Sequence, residues 1–171
     1  VAVSSESTET ASVARAYFEA VGGRDLDAME ALFEVGAIDE IHGVAELTVP
    51  GTFRPWFANL FEAFPDFHFE ILDVMATGEK AAVRWRARGS FTGTARFEGL
   101  EANGAKLDVQ GCDVLTIRSG RIQRNDAYMN GAEMARQLGA LPPAGSGAEK
   151  AAVALANLKT RLRTLIASRR G

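Results

Sequence analysis

In separate runs between Phe67 and Met129 the sequence takes on a period of two, and no other feature constrains the fold as much. In the run Leu107 to Ile117, the odd positions Leu107, Val109, Gly111, Asp113, Leu115 and Ile117 make an apolar face broken by one carboxylate. In Ala81 to Phe91, the odd positions Ala81, Val83, Trp85, Ala87, Gly89 and Phe91 are apolar while Arg84, Arg86 and Arg88 share the other side. A period of two belongs to half-buried strands. Phe67 to Met75 and Arg121 to Met129 read the same way, and Thr77-Gly78-Glu79, Asn103-Gly104 and Ser119-Gly120 supply the turns between them.

Upstream the period is helical. Val13, Tyr17, Phe18 and Val21 fall on one face of a helix from Thr10 to Val21, which Gly22-Gly23 ends. Asp25 is placed to cap a second, short helix with the stripe Leu26, Met29, Leu32 and Phe33. Ala37 to His42 predicts a short strand, with Asp39 and Ile41 on one side and Ile38, Glu40 and His42 on the other. A third helix opens after residues 49–52, tolerates Pro55 in its first turn, buries Phe53, Trp56, Phe57, Leu60 and Phe61, and stops before Pro65. Three helices followed by antiparallel strands define an α+β domain, its helices covering one face of a curved sheet. Asn130 to Glu133 has the capping-box spacing for a short helix to Leu138, after which Gly139 and a Pro/Gly-rich linker close the domain near residue 146. The expected organisation is a flexible Ser/Glu/Thr-rich start over 1–10, the domain over 11–143, and a linker with an amphipathic helix over 144–171.

That last helix has its own pattern. Ala151, Leu155, Leu158, Leu162 and Leu165 step by 4, 3, 4 and 3, the seam of a helix that packs on another helix, of its own domain or of a dimer mate. From Glu149 onward six basic residues (Lys150, Lys159, Arg161, Arg163, Arg169, Arg170) stand against Glu149 alone, so with −3 for the whole chain the remainder is at −8. A body that acidic argues against a nucleic-acid partner. No run reaches 18 apolar residues and the first ten residues lack a basic-then-apolar signal, so no membrane span is expected. A chain of 171 residues can enclose a core and a pocket without staples. Its single Cys112 excludes an internal disulfide and fits a reducing, cytoplasmic setting; with only His42 and His68 beside it, the usual zinc sets cannot form within one chain, so neither metal nor cofactor is expected.

Chemistry is expected on the inner face of the sheet. Asp113 points inward, where a carboxylate must be hydrogen-bonded, paired or protonated, the conditions that produce a neutral acid donor. Cys112 falls on the opposite face, which removes it as a cavity nucleophile.

Ala63-Phe-Pro-Asp66, Ala82-Val-Arg-Trp-Arg-Ala-Arg-Gly89, the stretch Gly111 to Ile122 and Ala135-Arg-Gln-Leu-Gly139 resemble the SnoaL-like polyketide cyclases of the nuclear-transport-factor-two-like superfamily, over roughly residues 11–143. The resemblance implies a cone-shaped α+β domain around an apolar pocket, a homodimer built on the outer sheet face that carries Arg84 and Arg86, and a small hydrophobic, ring-bearing or polyketide-like molecule as partner. Against ketosteroid isomerases, Tyr17 falls at the oxyanion tyrosine and Asp113 at the oxyanion acid, while the base column holds Ile41, with Asp39 one strand period away as a substitute. Against the cyclases, Asp113 stands at the histidine of the acid/base pair and Ala127 at the catalytic aspartate. The resemblance puts Asn125, Ala127 and Met129 in the pocket and turns Asp126 away. Asp113, Tyr17 and Asp39 are thus the catalytic candidates, and Phe18, Trp56, Phe57, Trp85, Asn125 and Met129 the substrate-binding ones. The competing expectations are a pocket of the same fold that only binds a small molecule, needing no more than the aromatic lining, and an epoxide hydrolase, whose Asp-Arg-Asp relay would require an arginine that the inner face of Ala81 to Phe91 lacks.

Overall fold

The computed structural model describes residues 5–168. Helix α1 (Ser5–Gly23) is followed by α2 (Leu26–Ala31), the hairpin of β1 (Phe33–Ile41) and β2 (Ala45–Thr48), and α3 (Phe53–Ala63). Four long strands come next: β3 (His68–Thr77), β4 (Lys80–Ser90), β5 (Lys106–Arg118) and β6 (Arg121–Met129). Helices α4 (Gly131–Gln137) and α5 (Gly147–Ser168) end the described chain. The strands form one curved, unclosed sheet in the order β2-β1-β6-β5-β4-β3. Every pairing is antiparallel except β1 with β6, which run parallel, so the curved antiparallel sheet expected from the sequence is present with one parallel contact.

The core fills the concave side. Tyr17, Phe18 and Val21 of α1 and Phe53, Phe57 and Leu60 of α3 are buried with Val83, Trp85, Val109, Leu115 and Ile122 of the sheet. Rings interlock here: Phe18 stacks on Phe69 at 5.4 Å and Tyr17 meets Phe33 edge-on at 5.1 Å. Asp25 caps α2 by accepting from the Ala28 amide at 3.0 Å, as the sequence predicts.

Three boundaries differ from expectation. Helix α1 begins at Ser5, so the start expected to be flexible over 1–10 is helical from that residue; Val1 to Ser4 lie outside the described residues. The physical reason is an anchor on a turn far along the chain, where Thr10 Oγ1 donates to the Gly78 carbonyl at 2.7 Å and the Gly78 amide donates to Ser7 Oγ at 3.1 Å. Phe33 belongs to β1 rather than to the second helix, because Leu32 already caps α2 and the strand starts at once. The β1–β2 hairpin adds a four-residue strand with no alternating run of its own.

Among the described residues, α5 does not dock on its own domain past its first turn. Every residue from Lys150 to Arg163 is exposed, and the leucines expected to seat on another helix, Leu155, Leu158 and Leu162, stand about half in solvent. The side chain of Leu165 and residues Arg169 and Arg170 lie outside what the structure describes. Among the described residues no helix is long and apolar enough to cross a membrane.

Candidate functional site

Strand alternation aims one polar side chain from each of three strands at the same point in the core. Asp39 on β1, Asn125 on β6 and Asp113 on β5 are neighbours through the registers Asp39↔Asn125 and Asp113↔Ala127, and they are 1%, 1% and 4% exposed. Tyr17 reaches down to them from α1, and Trp85 reaches across from β4.

The hydrogen bonds form one chain. Tyr17 Oη donates to Asp39 Oδ2 at 3.0 Å; Asn125 Nδ2 donates to Asp39 Oδ1 at 3.0 Å and to Asp113 Oδ2 at 2.7 Å; Trp85 Nε1 donates to Asp113 Oδ1 at 2.6 Å. Each of the four carboxylate oxygens thus receives one donor. The Asn125 amide must turn its nitrogen toward the acids, since its oxygen there would face two acceptors. Its Oδ1 is buried without a hydrogen-bond partner.

Trp85 gets its reach from a missing side chain. It pairs in register with Gly111, and a Cβ on that glycine would lie 2.3 Å from Trp85 Cζ2 and 2.7 Å from the Tyr128 carbonyl oxygen. Only a bare Cα leaves room for the indole to cross to Asp113.

Burial sets the electrostatics. It raises the Asp113 carboxyl to about 7, assisted by the Asp39 charge and opposed by the bonds from Asn125 and Trp85. It likewise raises Asp39 to about 6, against the pull of the Tyr17 and Asn125 bonds. The Tyr17 hydroxyl is pushed well above its ordinary value by burial and then by Asp39 and Asp113, so it stays a donor. The two acids titrate as a coupled pair in the neutral range.

Above this chain lies a cavity of about 90 Å³, open to solvent at its mouth. Its walls include Tyr17, Phe18, Asp39, Trp56, Phe57, Trp85, Asp113, Asn125 and Met129, so the nine residues singled out from sequence face one space. Ile41 and Ala127 are also in the wall, and no Arg, Lys or His is among the described lining residues. Tyr17, which the resemblance sets beside Asp113 at the oxyanion positions, bonds to Asp39, and Asp113 is held by Trp85 and Asn125. The role of Trp85 as a donor to Asp113 was missed, since a single strand's period does not show what lies opposite Gly111.

The convex face carries a different set. His42 lies 3.2 Å from both Glu40 and Asp126 and stacks on Tyr128 at 4.3 Å. Glu40, His42 and Asp126 have the spacing of a metal cluster, but Arg124 already donates to both carboxylates. Asp126 faces away from the cavity and Cys112 is half-buried on that outer side, as the alternation predicts. Arg86 forms a paired bond with Asp108 at 2.7 and 2.5 Å, and Arg88 lies 3.5 Å from Glu70.

Among solved structures, the chain is similar to AclR, a candidate hydroxylase from Streptomyces galilaeus, at 17% identity and a TM-score of 0.70, covering 92% of this chain and 98% of that one. It is similar to a SnoaL-like polyketide cyclase candidate from Jannaschia sp. CCS1 at 20% identity and 0.71, covering 83% and 99%. A third neighbour is an epoxide hydrolase of the LEH-like type from M. tuberculosis, at 20% identity and 0.57, covering 78% and 91%. No relative among curated proteins matches it. These likenesses carry the fold, and reaction chemistry varies on one fold. Because the family model of the SnoaL-like polyketide cyclases matches residues 11–138, three-quarters of the sequence and all of the sheet, this chain belongs to that family.

Proposed function

We propose that the protein is an acid/base enzyme of the cyclase or isomerase type, acting on a small hydrophobic ring-bearing or polyketide-like ketone. The observation that carries this reading is the pair of buried carboxyls joined through one amide nitrogen, Asp39 near 6 and Asp113 near 7, with no cation among the described lining residues. Two buried acids raised into the neutral range can share one proton, one ionised while the other stays protonated. In that state Asp39, bonded by Tyr17, takes the proton from a carbon beside the carbonyl, and the protonated Asp113 donates a hydrogen bond to the oxygen on which charge develops. Tyr17 is engaged with Asp39, which makes it a positioning residue for the base rather than a second donor to the enolate. Ile41 and Ala127, apolar where relatives hold a base, leave Asp39 as the carboxylate for that step. A homodimer accompanies this proposal.

The test is hydrogen exchange at the α-carbon of 2-tetralone in deuterated water, followed by NMR. Exchange should be accelerated with a bell-shaped pH profile between about 6 and about 7, the limits set by the two acids. Asp39→Asn should slow it by roughly 10²–10⁴-fold, the usual worth of a positioned base. Tight binding of 2-naphthol without any exchange would instead establish a binding pocket that does no chemistry.

A further inference from the structure

The strongest unexplained feature outside the cavity is α5. Its root is fixed: the Ser146 hydroxyl caps the Glu149 amide at 3.1 Å, Glu149 accepts from the Gly145 amide, and Arg136 of α4 binds Glu149 at 3.0 Å. Beyond that root the described side chains of the helix are exposed, Leu155, Leu158 and Leu162 at 54%, 52% and 49%. It also lies beyond the family match, which ends at residue 138. In proteins, packing of an apolar stripe is what supplies most of a helix's stability.

We infer that the stripe is covered by α5 of a second copy of this chain, the two helices running parallel as a short coiled coil. The spacing is the first reason. Ala151, Leu158 and Leu165 occupy one core position of the heptad and Leu155 and Leu162 the other, so the seam is complementary to itself. Charge settles the direction. Lys159 and Arg161 flank the seam on opposite sides; in a parallel pair each flank faces the residue five along in the partner, which sets Ala154 against Lys159 and Arg161 against Ile166. No two basic residues then meet. An antiparallel pair would bring Lys159 near its own copy and Arg161 near its own copy, with no acid on that part of the helix to offset them. A lipid surface is the poorer occupant, since the helix has no Trp, Tyr or Phe to anchor at a membrane interface. A parallel two-fold pair is a closed arrangement that leaves both cavities free.

Sedimentation equilibrium of the full chain at low micromolar concentration tests this. The wild type should self-associate through α5, and the variant Leu155→Gln with Leu158→Gln and Leu162→Gln should lose that step of association, its dissociation constant raised by at least about 100-fold, which corresponds to about 2.7 kcal/mol. Because those side chains are exposed in the single chain, thermal melting of the domain should not drop below that of the wild-type monomer. Val153→Gln, outside the seam, should leave that association intact. Oxidation of Ala151→Cys in a Cys112→Ser background should give a disulfide-linked pair, as a parallel register requires. A monomeric wild type, an association unaffected by the triple substitution, absence of the crosslink, or binding to phosphatidylserine vesicles that the triple substitution abolishes while the wild type stays monomeric would each overturn the inference.

Discussion

Asp113 and Asp126 are the same chemical group on adjacent strands, Asp126 pairing with Val114 while Asp113 pairs with Ala127, yet their acidities move in opposite directions. On the concave side Asp113 is raised to about 7 by burial, the neighbouring Asp39 adding to it. On the convex side burial also works to raise Asp126, but hydrogen bonds and charge from Arg124 and His42 outweigh it and leave the carboxyl below its ordinary value. What separates the two is the absence of a cation on one side and its presence on the other, together with depth. A sheet one residue thick therefore maintains a proton-holding site and an ion-pair network back to back.

The sharpest way to break that contrast is Asn125→Leu. It removes the donor that each inner carboxylate shares, and should cost roughly 3 kcal/mol of stability at pH 8, where both acids are ionised. At pH 5, below both values, the acids carry protons and the cost should be smaller. Urea unfolding at the two pH values checks this, and an equal loss at both would mean that Asn125 acts through packing alone.

Gly111→Ala comes next. The added methyl overlaps the Trp85 indole and should destabilise by about 1–3 kcal/mol, as overpacking does, while lifting the Nε1 donor off Asp113. Trp85 emission and the melting temperature report the two effects separately. With a donor lost, the Asp113 carboxyl should rise further, seen by carbon NMR of its carboxyl.

The smallest effects are in the pH dependence itself. A carboxyl whose value is raised by folding keeps its proton longer in the native state, so the contribution of Asp113 to stability is present at low pH and falls away as pH rises from about 4 toward about 7. Asp126 has the reverse sign, its contribution present above its ordinary value and lost as pH falls through the lowered one. Asp113→Asn should flatten the neutral window and Asp126→Asn only the acidic one, the latter changing stability at pH 7 by less than about 1 kcal/mol, as partly exposed ion pairs do. Melting curves across pH 3 to 8, on the order of one pH unit apart, check both assignments.

The inner position of Asp113 was legible because β5 alternates without interruption; alternation in β1 put Asp39 on one side with Ile41, and the family resemblance turned that side toward the pocket. The placement of Asn125 and Met129 came with the family resemblance. What stayed hidden depends on residues distant in sequence. The Trp85 bond needs the bare Gly111 on the next strand; the early start of α1 needs the Gly78 turn some seventy residues later; and β2 is four residues held by β1 rather than by a pattern of its own. The parallel contact between β1 and β6 has no local signal at all, since each strand reads as an ordinary half-buried run.

That parallel contact also governs when the site can exist during folding. Asp39 and Asn125 are 86 residues apart along the chain, whereas Asn125 and Asp113 are 12 apart. The β4–β5–β6 meander can form from short-range closures, but joining β1 to it means closing a long loop, a slow step by the usual dependence of rate on contact separation. On a chain emerging from the ribosome, Asp39 waits in water until β6 has been made. Quench-flow hydrogen exchange would then find amides of β1 protected after those of β5, and the inner carboxyls would acquire their neutral-range titration only in the final phase.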